Sequence, residues 1–131
     1  TDAKVILSLL KLTLESDGIE VDISSTIDEA LDLANRVEYN LMIIDYMLQN
    51  QHTGLELIER IKTDGINKET PCIILSAEDG LSCKVNAQEL GVRAWVKKPF
   101  TPTGILKIVY KVLDKDYQAV EKSKASIHHH D

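Results

Sequence analysis

Two short runs, Leu41-Met42-Ile43-Ile44 and Pro71-Cys72-Ile73-Ile74-Leu75, are apolar throughout and too short to form helices of their own. Successive side chains of a strand point to opposite faces, so a strand apolar at every position must be covered on both. Strands of this kind belong to parallel sheets with helices on either side. The sequence around the two runs supplies such helices. Ile6, Leu9, Leu10, Thr13 (through its methyl) and Leu14 recur at helical spacing before Gly18, which predicts a helix over 3–16. Thr26 caps a second helix, with Glu29 completing a capping box and Ile27, Ala30, Leu31 and Ala34 forming the apolar stripe to near Val37. Leu55, Ile58 and Ile61 mark a third helix from Gly54 to about Thr63.

A short fourth helix around 82–90 carries a thin stripe of Leu81, Val85 and Leu90, which predicts loose packing. Thr101 caps the last helix, with Pro102 in its first turn and Ile105, Ile108, Val109, Val112 and Leu113 on one face. Ile19-Glu20-Val21-Asp22-Ile23 alternates apolar with acidic, as an outer strand does, and Val92–Val96 reads as a further strand. Four strands alternating with five helices imply a doubly wound, flavodoxin-like α/β parallel sheet with helices on both faces.

A chain of 131 residues holds one such domain, expected over 1–117, with 118–131 a polar tail. The His128, His129 and His130 run reads as a tag remnant or solvated tail, with a weak metal site as the alternative. Hydrophobic residues make up 44% and charged residues 27%, the balance of a globular protein rather than a disordered one. No apolar run approaches the roughly 20 residues that span a bilayer. Nothing resembles a secretory leader, so a cytoplasmic location without membrane contact is expected. A net charge of −6 disfavours direct nucleic-acid binding. Cys72 and Cys83 form no metal or disulfide framework and read as free thiols.

Ligands of open parallel sheets bind at the carboxyl ends of the strands. Asp45 closes the first buried strand, Ser76 with Ala77 the second, and Lys98 before Pro99 the last. Singly these are a turn cap, a hydroxyl bonded to its own backbone and a surface charge. Together they form a shared site. A carboxylate attacks phosphorus to give an acyl phosphate only where cations offset the charge of both reactants. Lys98 supplies one charge, and a magnesium-type cation with oxygen ligands supplies the rest. Asp2 reads equally as a second acidic ligand or as an ordinary helix N-cap.

Asp45 within Leu-Met-Ile-Ile-Asp-Tyr-Met-Leu, Gly54-Leu-Glu-Leu, Ser76-Ala77 and Trp95-Val96-Lys97-Lys98-Pro99-Phe100 together resemble the receiver domain of two-component response regulators, the CheY-like family, over residues 2 to about 115. The resemblance implies that a histidine kinase or a histidine phosphotransfer protein passes a phosphoryl group to Asp45 with magnesium bound. Asp2, Asp45 and the main-chain carbonyl of Met47 are then the metal ligands, and Lys98 and Ser76 contact the phosphoryl group. Ser76 and Trp95 form the switch pair, with packing against the last helix the alternative role for Trp95. Met47 and Glu78 occupy positions that tune acyl-phosphate hydrolysis. The signal is read on the surface of the fourth helix, the strand at Val92–Val96 and the last helix, which also admits a homodimer. Such a module is a signalling domain and not an enzyme in the usual sense.

The chain departs from this pattern in lacking, before the first helix, the strand that occupies the middle of the family's sheet and ends in its acidic pair. With Gly18 at the end of the first helix, Thr1 and Asp2 fall on that pair and one acid is absent, whereas a shift of one or two residues places both acids before Thr1. A sheet without its middle strand leaves two inner edges unpaired. Ala125-Ser126-Ile127 leads into histidines rather than an apolar run, so the missing strand is expected before Thr1 or from another chain. The loop Gln49-Asn50-Gln51-His52-Thr53 is about one residue longer than usual and lacks a proline. The incomplete acidic pocket keeps open a pseudo-receiver that binds partners without phosphorylation. A flavin- or nucleotide-binding enzyme on the same architecture would need a phosphate-binding loop that the sequence does not offer.

Overall fold

The structure is a computed structural model that describes residues 3–63, 65–113 and 123–128. Its helices are α1 (Ala3–Ser16), α2 (Ile27–Arg36), α3 (Gly54–Thr63), α4 (Lys84–Glu89) and α5 (Pro102–Leu113). Its strands are β1 (Ile19–Ser24), β2 (Leu41–Asp45), β3 (Cys72–Ser76), β4 (Val92–Lys97) and β5 (Ser123–His128). All pair in parallel in the order β1-β5-β2-β3-β4. The doubly wound class therefore holds. Among the described residues no helix is long and apolar enough to cross a membrane.

The middle of the sheet corrects the sequence reading. Four strands and a polar tail from 118 are expected, yet residues 123–128 of that tail form a fifth strand between β1 and β2. Ile19 to Ser24 pair with Ser123 to His128 on one side, and Leu41 to Ile44 pair with Ala125 to His128 on the other. The chain thus fills its own central position. The physical reason is that pairing uses main-chain N–H and C=O groups, which any proline-free extended segment supplies. Ala125 and Ile127, two positions apart, add apolar side chains to one face. An apolar run is a sufficient sign of a buried strand, not a necessary one.

Alternation along β2 and β3 builds a core on each face. Leu41, Ile43, Ile73 and Leu75 join Leu10 and Leu14 of α1 and Ile105 and Val109 of α5. Met42, Ile44, Cys72 and Ile74 join Ala30 and Ala34 of α2, Leu55, Leu57, Ile58 and Ile61 of α3, and Ala87 of α4. The predicted caps form with one adjustment. Thr26 Oγ1 accepts from Glu29 N at 3.1 Å, but Glu29 Oε1 reaches back to Ser25 N, at 2.8 Å, rather than to Thr26 N. Thr101 Oγ1 accepts from Gly104 N at 3.0 Å.

The fourth helix is shorter than expected and preceded by a 3-10 turn at Leu81–Cys83, which places Cys83 outside it. Leu81 and Val85 are 72% and 70% exposed, so of the expected stripe only Leu90 packs against the core. Six residues make less than two turns and bury a single small face, here Ala87.

A buried polar clamp that hydropathy does not reveal ties α2 to the loop before β3. Asn67, fully buried, donates to the carbonyls of Ala34 and Val37, each at 2.7 Å. Its Oδ1 accepts from Tyr39 N at 2.8 Å and Thr70 Oγ1 at 2.9 Å. The side-chain amide is therefore fully satisfied. Tyr39 donates its hydroxyl to Asp22 Oδ2 at 2.6 Å. Burial, followed by that bond, raises the Tyr39 phenol well above 10.

Asn67→Leu leaves two buried carbonyls and one N–H without their partners, and a loss of about 3 kcal/mol is expected in urea denaturation. A phenol held neutral in the fold stabilises it fully below its ordinary value of 10, and that contribution is lost as pH rises above it. Alkaline unfolding followed by circular dichroism should therefore begin above pH 10 and move upward in Tyr39→Phe.

Candidate functional site

The carboxyl ends of three adjacent strands meet as the sequence predicts. Asp45 closes β2 and is 2% exposed, and Ser76 closes β3 at 4%. Lys98 follows β4 directly. Its backbone N–H donates to the Ser76 carbonyl at 2.7 Å, extending the ladder by one step and fixing where its side chain leaves the sheet. From there Nζ reaches Asp45 Oδ1 at 3.0 Å. The carboxylate is buried while the lysine side chain is 40% exposed, so the pair joins a desolvated anion to a solvated cation. Ser76 Oγ accepts from Glu78 N at 3.0 Å, a local turn that holds the hydroxyl at the strand end.

Asp45 owes its position to main-chain contacts that its own residue type does not signal. Tyr46 N–H donates to the Leu75 carbonyl at 2.8 Å, and Gly54 N–H donates to the Tyr46 carbonyl at 2.6 Å. A Cβ on Gly54 would overlap the Asp45 carbonyl oxygen, so only glycine lets α3 begin so close to the end of β2. The intervening loop makes a 3-10 turn at Gln49–Gln51, with Asn50 and Gln51 at φ 57° and 65°. Two consecutive left-handed residues accommodate the extra length noted in the sequence. Met47 pairs with Thr53 across this loop, and its side chain is 58% exposed.

Trp95 connects the loops around Asp45 and Ser76. Its indole N–H donates to the Glu78 carbonyl at 2.8 Å. The ring lies 5.3 Å from that of Tyr46 at an interplanar angle of 48°. It also rests on Gly80, whose φ of +70° and missing side chain make room for it. Tyr46 in turn meets Cys83, hydroxyl to Sγ at 3.7 Å, and that contact, with burial, raises the Tyr46 phenol above its ordinary range. The sequence reading names Trp95 but assigns no role to Tyr46 or Gly80 and takes Cys83 only as a free thiol. The Tyr46 position, directly after Asp45, is the signal that could have found the contact.

Asp2 lies outside the described residues. Among the described residues no three His, Cys, Asp or Glu side chains cluster as metal ligands. β5 pairs His128 with Ile44, one residue short of Asp45, and His128 Nδ1 lies 2.9 Å from Ser24 Oγ. At the crevice the Asp45 carboxylate and the neighbouring main-chain oxygens are available as oxygen donors. That set fits the lower end of magnesium's needs, since this ion is held by one or two carboxylates together with phosphate oxygens and water.

The family model of the response regulator receiver domain matches residues 1–110. This chain belongs to that family. A transcriptional regulatory protein of Bacillus subtilis, YkoG, is 38% identical over 100 residues, covering 76% of this chain and 42% of that protein. The chain spans about half or less of the curated relatives it matches. A CheY-like receiver domain protein from Methanospirillum hungatei superposes with a TM-score of 0.75 at 26% identity, covering 89% of this chain and 91% of the other. The receiver domain of a Pseudomonas aeruginosa sensor histidine kinase, which holds a magnesium ion in its active-site cleft, matches with a TM-score of 0.70 at 21% identity over 86% of this chain and 91% of that one. At that identity the likeness speaks for the fold alone. The sequence-based exclusion of nucleic acid gains no support from relatives named as transcriptional regulators, and it rests on charge alone.

Gly54→Ala forces the Asp45 carbonyl and the start of α3 apart, and a loss of about 2 kcal/mol is expected in chemical denaturation.

Proposed function

We propose that this receiver domain accepts a phosphoryl group on Asp45 from the phosphohistidine of a histidine kinase or histidine phosphotransfer protein. The observation that carries the reading is the buried Asp45 carboxylate at the end of β2 with Lys98 Nζ 3.0 Å from Oδ1. One Asp45 oxygen attacks phosphorus, a P–O bond forms as the P–N bond breaks, and the donor imidazole leaves. Lys98 offsets charge on the acceptor before transfer and on the phosphoryl oxygens after it. Asp45, the Met47 carbonyl and Asp2 are the residues that would hold magnesium. When bound, the ion neutralises phosphoryl charge.

Ser76 couples the event to the surface. Its hydroxyl can turn toward a phosphoryl oxygen only by giving up the bond from Glu78 N–H. The same residue carries the carbonyl that anchors Trp95. Loosening the Glu78 turn therefore shifts the Trp95 equilibrium between its present seat on Gly80 and an inward one, a two-state bias set by local electrostatics. The readout surface is formed by α4, β4 and α5. β4 and α5, with the turn between them, carry Arg93, Lys97, Lys98, Lys107 and Lys111 and no acidic residue. A two-fold dimer through this surface would oppose like charges, so a partner bearing acidic groups suits it better than a second copy.

Among the described residues no cluster of three potential metal ligands forms, which favours one other reading, a pseudo-receiver that engages partners without phosphate. Beryllofluoride or acetyl phosphate with magnesium separates the two. The phospho-accepting reading expects a magnesium-dependent change in Trp95 fluorescence, a single phosphoryl adduct by mass spectrometry with acetyl phosphate, and loss of both in Asp45→Asn. A folded protein with neither response supports the pseudo-receiver.

A further inference from the structure

The loop after β2 does more than lead from Asp45 to α3. Gln49 reaches across it to the turn before α2, where its Nε2 donates to the Ser25 carbonyl at 2.5 Å. That carbonyl can only accept, so the nitrogen is the atom that faces it and the amide has one orientation. Gln49 Oε1 is then left buried, with no hydrogen-bond partner among the described residues. A buried acceptor without a donor is costly, and it calls for one from solvent or a ligand.

The same side chain lines a cleft of about 340 Å³ between the start of α2 and α3, with Ile27, Asp28, His52 and Arg60 around it. Small-ligand sites run from roughly 300 to 1,000 Å³, which puts this cleft at the lower end, the size for an amino acid or a dipeptide. Its two charged walls are unpaired. Asp28 on α2 and Arg60 on α3 form no ion pair with each other, and among the described residues neither side chain has another partner. The helix neighbours that could have taken them are engaged elsewhere. Glu56, one turn before Arg60, is paired with His52 at 2.9 Å. Asp32, one turn after Asp28, is of like sign and is paired with Arg36 at 2.7 Å. The cleft therefore has one wall for an anion and one for a cation. The buried oxygen adds to the second, because an ammonium carries the donors it lacks.

We propose that this cleft is a binding site for a small zwitterion, an amino acid or dipeptide, with its carboxylate on Arg60 and its ammonium shared by Asp28 and Gln49 Oε1. Neither half of such a ligand suffices alone. A simple anion meets Asp28 as a like charge and leaves the buried oxygen without a donor, and a simple cation meets Arg60 as a like charge. Asp28 and Arg60 are exposed, so each contributes about fivefold in affinity, while the donor to the buried oxygen contributes about tenfold. Because the loop that supplies Gln49 runs directly from β2, an occupied cleft also ties that loop to α2. Binding does not require phosphate acceptance, so the inference stands apart from that reading.

The test uses the full chain, isotope-labelled for two-dimensional NMR, with glycine and glycylglycine as the probes. The expected result is saturable amide shifts with at least one probe, confined to 26–28, 49–52 and the turn of α3 around Arg60. The N-acetyl forms, which lack the ammonium, should bind at least about tenfold more weakly, and the C-terminal amides, which lack the carboxylate, about fivefold. Arg60→Gln should weaken the zwitterion about fivefold without weakening the amides, and Asp28→Asn should do so without weakening the N-acetyl forms. Both side chains are exposed and unpaired, so either variant keeps the fold. Absence of saturable shifts with both probes, shifts outside the cleft, or equal binding of the one-charge analogues would overturn the proposal. Equal shifts with inorganic phosphate, the mark of an adventitious ion only, would do the same.

Discussion

β1 and β2 share no ladder; each is hydrogen-bonded to β5, and the continuity of the sheet passes through that strand. Parallel strands have strict requirements. Their N–H and C=O groups point sideways into a dry layer between two sets of helices, where an unpaired group costs as much as a lost hydrogen bond. With β5 present, α1 and α5 pack over Ile127 and Ala125 as over one surface. The position of Asp45 depends on the same continuity, because β2 is the strand that β5 flanks.

The site is built from the ends of the same ladders. Asp45, Ser76 and Lys98 are distant in sequence and converge because β2, β3 and β4 are neighbours in register. Main-chain bonds hold the frame: Tyr46 to Leu75, Gly54 to Tyr46, and Lys98 to Ser76. Two glycines allow close approach where a side chain would not fit, Gly54 against the Asp45 carbonyl and Gly80 beneath Trp95. The result is a buried anion facing a solvated cation, with an aromatic pair spanning the two loops that lead away from it. A change of charge at the first has a short physical route to the second.

Residue patterning made much of this legible. Doubly apolar runs identify β2 and β3 because burial on two faces leaves no place for polar side chains. Thr26 and Thr101 announce their helices because a short hydroxyl side chain satisfies an exposed backbone N–H wherever a helix begins. The identities of Asp45, Ser76 and Lys98 are readable because strand ends are where an open sheet offers room. The Asn67 clamp is not readable, since an asparagine between two turns looks like loop chemistry until its four partners are seen together. The Tyr46–Trp95 contact escapes for a similar reason: it joins positions on different strands through ring geometry.

The sequence by itself determined the class of the sheet, the order of its helices and the residues that gather at its carboxyl edge, because periodicity and strand-end chemistry are local properties. Only the tertiary structure decided what fills the middle. Ser123–His128 carries two apolar side chains on one face and polar ones on the other, a pattern that suits a half-exposed strand at least as well as a buried one. Its place between β1 and β2 follows from two open ladders that a proline-free segment can satisfy, and that demand belongs to the assembled sheet rather than to any stretch of chain.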